Sequence, residues 1–139
     1  MTLTTEESGF LEQLEDTTLP TRAFNNEGHV HAAWLYLQQH PPGEAEERFI
    51  RALRRYAASL GAAEKYHDTL TRALLCLMRE RIAAAPAGED WGAFTRRNAD
   101  LLTDSRALLD RHYSAERLDS AEARRRFLAP DRAPINSDS

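Results

Sequence analysis

Between residues 25 and 85, apolar side chains recur every three or four positions, and the residues that break helices stand only between the runs. A helix turns about 100° per residue, so such spacing gathers apolar groups on one face. Val30, Ala33, Trp34 and Leu37 share one arc; Phe49, Leu53, Tyr56 and Leu60 share another; Leu70, Leu74, Leu75, Met78 and Ile82 share a third. Pro41-Pro42, Gly61 and Pro86 bound these runs, and neither proline nor a C′ glycine continues a helix. No stretch shows the two-residue alternation of a half-buried strand. The pattern predicts an all-α chain, a compact single-domain bundle of five to seven helices. Four helices are expected over 5–16, 25–39, 43–60 and 63–85. Shorter ones should follow from Asp90, from Asp104 or Ser105, and over 120–127. The domain should span 1–129, leaving 130–139 as a polar, flexible tail. Phe24, Val30, Trp34, Leu37, Phe49, Leu53, Tyr56, Leu70, Leu74 and Met78 should form the core.

Composition narrows the function. A chain of 139 residues is long enough to bury a core without staples. Its net charge of −4 supplies no global field for nucleic acid. Arg48, Arg51, Arg54 and Arg55, and Arg124 to Arg126, are interleaved with Glu44, Glu47, Glu116 and Glu122, which reads as solvated, salt-bridged faces. Cys76 is the one cysteine, so no internal disulfide forms. No apolar run approaches the ~20 residues that cross a bilayer, and the polar, acidic start is unlike a signal peptide. The expectation is a cytoplasmic protein without membrane or nucleic-acid partners. Lys65 is the one lysine among eighteen basic residues; with abundant alanine, this points to a GC-rich bacterial genome.

The informative residues are polar ones on apolar faces. Asn26 projects into the stripe of the second helix, and His29 lies on its edge. His67 and Thr71 sit at the centre of the stripe of the fourth. Glu46 falls in the first turn of the third helix. A buried polar group without a partner costs ~1–3 kcal/mol, so each should meet another, a backbone group or a ligand. Short connections predict that helices two and four run parallel, bringing His29 towards His67, with Glu46 at the opposite end. First-turn polar residues also cap helices, and buried histidines are often hydrogen-bonded structure; both roles stay open for these residues. His31 points away and should be solvated.

The stretch Phe24-Asn25-Asn26-Glu27-Gly28-His29-Val30, with Ala33-Trp34-Leu35-Tyr36-Leu37 and Lys65-Tyr66-His67-Asp68-Thr69-Leu70-Thr71, resembles a family of short bacterial helical proteins. Their motifs read Phe-x-His-x-x-His-Val and Tyr-His-x-Thr-x-Thr. Tyr113-Ser114 through Leu118, Arg124 to Phe127 and Pro130-Asp131 are similar too. The resemblance implies a helical fold and a His-x-x-His pair able to ligate a metal. Here the first histidine of that pair is Asn26, a poor ligand for zinc or iron, so no metal and no cofactor are expected.

Two functions fit these features. One is a small-molecule binding or tailoring enzyme with a pocket between helices two and four. His29 and His67 would give and take protons. Asn26, Tyr66 and Thr71 would orient the ligand, and Trp34 would form an aromatic wall. Two helix N-termini favour a small anionic molecule. Cys76 faces away from His67, so no Cys–His nucleophile is expected. The other function is a non-catalytic helical interaction module, a homodimer or partner-binding protein using Leu35 and Cys76 on the outer faces.

Overall fold

The computed structural model describes residues 3–135. These are all-α: nine α-helices and two single 3-10 turns, with no strand among the described residues. The helices are α1 (Thr5–Glu15), α2 (Asn26–Gln39), α3 (Pro42–Ser59), α4 (Asp68–Ala83), α5 (Trp91–Arg97), α6 (Ala99–Thr103), α7 (Ser105–Leu109), α8 (Ala115–Leu118) and α9 (Ala121–Arg125). The count exceeds the sequence expectation because the later segments break more often. The helix expected after Asp90 stops at Asn98, whose buried amide donates back to the Phe94 carbonyl at 3.0 Å, and α6 starts anew. Ser114 caps the four-residue α8, accepting from Arg117 N–H at 3.2 Å.

Other ends follow the sequence closely, except that residues 63–65 form a separate 3-10 turn and α4 starts at Asp68 instead of 63. Asp90, Asp104 and Ser120 each accept a backbone N–H three residues on, satisfying donors that the first turn of a helix leaves free. Pro42 opens α3 at its first position, where its missing N–H removes nothing. Gly61, at φ +69°, ends α3. Its N–H reaches the Ala58 carbonyl and that of Ala62 reaches Ala57, the paired bonds of a Schellman ending.

The chain divides into two compact units, Met1–Tyr66 and His67–Ser139. The sequence suggests one domain over 1–129, and no loop-like composition marks the division at Tyr66-His67. In the first unit α2 lies against α3, and α1 against both. Tyr56 links layers through an edge contact with Phe24 (5.1 Å) and a hydrogen bond from its hydroxyl to the Leu19 carbonyl (2.7 Å). In the second unit α4 packs against α7 and α9.

Contact on two sides explains why α4 departs from its expected stripe. Leu75 and Met78 are buried, but so are Thr69, Ala73 and Leu77, a quarter-turn or more away. Leu70, Leu74 and Ile82 are half-buried. Leu37 is likewise half-buried, and Leu60, at the C-cap of α3, is 51 % exposed. Nor does the chain fray at Pro130. The Ser114 N–H and hydroxyl both donate to the Asp131 carboxylate, at 2.8 and 2.7 Å. Arg132 N–H donates to the His112 carbonyl and Arg117 Nε to that of Ala129. Residues 129–132 are thus hydrogen-bonded to the 112–117 segment, and the last four positions of the expected tail lie outside the described residues.

Candidate functional site

His67 is the N-cap of α4, one residue before the first turn in which periodicity places it. Its Nδ1 accepts the Leu70 N–H at 3.0 Å, and its Nε2 lies 2.7 Å from the Leu118 carbonyl. A ring nitrogen that accepts carries no proton, so the Nε2–H tautomer is fixed and donates to Leu118. Both nitrogens are thus engaged by the backbone of the second unit. Thr71, buried at 8 % exposure, donates its hydroxyl to the His67 carbonyl at 2.8 Å. The polar pair expected to serve a ligand closes on itself, as a cap and a back-bond one turn apart.

His29 differs. It lies in the first turn of α2, half-buried, with its ring stacked on Phe24 at 3.9 Å between centroids. Among the described residues no group hydrogen-bonds its imidazole nitrogens. Burial pushes its pKa down from 6.5 to about 4, because desolvation penalises the charged ring with no carboxylate to compensate. The turn is set by neighbours. Asn25, not Asn26, caps α2, its side chain accepting the Gly28 N–H at 2.9 Å. Gly28 passes so close to the preceding turn that a Cβ there would stand 2.3 Å from the Ala23 carbonyl oxygen.

The other expected site residues sit in different environments. Asn26 is exposed rather than buried, because it is the first residue of α2 and precedes the packed turns. Trp34 is 1 % exposed, so its ring is packed and presents no wall to an incoming ligand. Tyr66, half-buried at the end of the first unit, lies under the Arg54 guanidinium at 4.8 Å. Leu35, expected on an outer face, is fully buried, and Cys76 is half-buried.

Sequence reasoning missed His31. Its Nε2 lies 3.8 Å from a Glu7 carboxylate oxygen, and its ring stacks on Phe10 at 5.5 Å. Burial lowers its pKa, and Glu7 opposes that shift. With Thr4 and Glu6 these residues line a cavity of about 350 Å3. The missing signal was the approach of α1, which no local pattern in α2 encodes. Thr69 was also missed. Fully buried, it donates to the Arg126 carbonyl at 2.8 Å and accepts the Leu128 N–H at 3.0 Å. Tyr36 donates to the Glu15 carboxylate at 2.5 Å; burial, then that bond, raises its pKa. Glu46 is half-buried on α3. No group of three or more His, Cys, Asp or Glu able to hold a metal occurs among the described residues, nor does any helix long and apolar enough to cross a membrane. Comparison with protein-family models, curated proteins and solved structures gives no match.

Proposed function

We propose that this chain binds a small molecule in its first unit, with His29 as the residue that holds it, in the cytoplasm of a bacterium. One observation carries the reading: His29 is a half-buried imidazole, stacked on Phe24, whose nitrogens no described residue uses. Such a ring offers one donor and one acceptor to a ligand. With a pKa near 4 it stays neutral at pH 7, so it contributes hydrogen bonds rather than charge. Proton transfer is most efficient when the pKa lies near the working pH. That condition favours binding over general-base catalysis at this ring. A hydroxyl or amide group fits a neutral imidazole better than the bare anion that the sequence suggests. His67 and Thr71 belong to the fold in this reading.

The interaction-module reading has less support. Leu35, its anchor, is buried, and Leu60 and Phe127 are single exposed apolar residues on separate units, which surfaces ordinarily carry. The deciding experiment is a ligand-observed NMR screen of small polar metabolites on wild type and His29→Gln. Compounds whose binding disappears in His29→Gln, with circular dichroism unchanged, support the proposal. Binding indifferent to His29, or none at all alongside a stable dimer in sedimentation, would replace it with the module.

A further inference from the structure

We propose that Arg48, Arg51 and Arg55 of α3 form a binding site for a small oxyanion of the phosphate type, independent of His29. The three positions follow an i, i+3, i+7 spacing, which brings them onto one arc of about 60° over ~10 Å of helix. Together with Ala52 and Glu15 they line a notch of about 160 Å3. Its size decides the ligand class. Organic ligands of ordinary size occupy ~300 Å3 or more, whereas this notch suits one tetrahedral group.

The arginines are held unequally. Arg48 Nε lies 3.4 Å from Glu44, and an Arg55 nitrogen donates to the Glu15 carbonyl at 3.4 Å, at the end of α1. Arg51, between them, makes no hydrogen bond or ion pair with any described residue; Glu47, one turn earlier, is exposed and does not pair with it. The carboxylate in the notch is already engaged, since Glu15 Oε2 accepts the Tyr36 hydroxyl. Three guanidinium groups against two carboxylates, Glu15 in the notch and Glu44 beside Arg48, leave a local positive charge on a chain of net charge −4. Ala52 contributes only a methyl group, which leaves room between the longer side chains. The planar fork of arginine matches two phosphate oxygens at once. Arg48 and Arg55 are anchored, so a bound oxyanion needs to order chiefly Arg51.

The experiment is isothermal titration of inorganic phosphate into the full chain at low ionic strength. Wild type is expected to bind, and added sodium chloride to weaken the binding. Arg51→Ala removes a group without partners, so the fold should be retained, which circular dichroism checks. It should weaken phosphate by about tenfold or more, while Arg22→Ala, at an exposed arginine elsewhere on the first unit, should not. Phosphatidylcholine vesicles with and without phosphatidic acid separate two sources of the same group. Phosphate binding together with Arg51-dependent vesicle binding supports the site with a lipid headgroup as its ligand. Phosphate binding alone supports it with a free phosphate compound. No phosphate binding, equal losses in Arg51→Ala and Arg22→Ala, or vesicle binding without phosphate binding would overturn the proposal. None of these outcomes depends on His29→Gln, so this site and the His29 reading fail separately.

Discussion

His67 and His29 stand at the starts of α4 and α2, and the backbone uses them in opposite ways. His67→Ala removes both a cap and a donor to the Leu118 carbonyl. A loss of about 1–3 kcal/mol is expected in urea unfolding. His67→Asn keeps an N-cap acceptor and should recover part of that loss. A variant that loses ligand binding but no stability would remove His67 from the cap role. Gly28 gives a sharper test of packing. Alanine in place of glycine inside a helix ordinarily gains ~1 kcal/mol. Here the added Cβ would meet the Ala23 carbonyl at 2.3 Å, so Gly28→Ala should cost about 1–3 kcal/mol instead. A neutral or stabilising result would show that the Ala23 turn can move aside. At this scale the sequence reading found the right segments but not the right atoms. Periodicity places His67 and Asn26 on a face, yet α4 starts at Asp68 rather than 63, which makes His67 its cap, and α2 starts one residue later than expected, which leaves Asn25 to cap it.

Elements were more legible than sites, because proline, glycine and capping residues act locally. Asp90, Asp104, Ser120, Pro42 and Gly61 could all be read without knowing the fold. The orientation of α4 could not, since α7 and α9 reach it from distant sequence. That contact is carried partly by Thr69, whose hydroxyl holds the Arg126 carbonyl and the Leu128 N–H. Thr69→Val keeps the shape and strands a buried N–H, so it should cost about 1–3 kcal/mol. Faster amide exchange should appear at Leu128; unchanged protection there would refute this link. The end of α1 offers the opposite sign. Thr17 occupies the left-handed region at φ 67°, with paired C-terminal bonds from Thr17 and Thr18 to Leu14 and Gln13. A side chain in that conformation costs roughly 1–2 kcal/mol. Thr17→Gly should relieve part of this and raise the melting temperature by ~2–4 °C, whereas a drop would mean that the threonine side chain supports the turn.

Over the whole molecule, the helical class was legible because one period governs the long segments, and the two-unit division was not, because no linker composition announces it. Acid stability is also a property of the whole molecule. His29 has a folded pKa near 4 against about 6.5 unfolded, so the unfolded chain takes up its proton first. The contribution of the neutral ring is complete above pH 6.5 and is lost as the pH falls towards 4, amounting to about 3 kcal/mol at the low end. His31, also lowered by burial, adds in the same direction. His29→Gln should flatten this part of the stability curve. The most direct measurement is a pH titration of the imidazole nitrogens by 15N NMR. His29 is expected to remain neutral down to about pH 4, while His67 shows a fixed Nε2–H tautomer bound to the Leu118 carbonyl. A His29 titrating at 6.5 or above, or a His67 ring exchanging freely between tautomers, would contradict the division of roles between the two histidines.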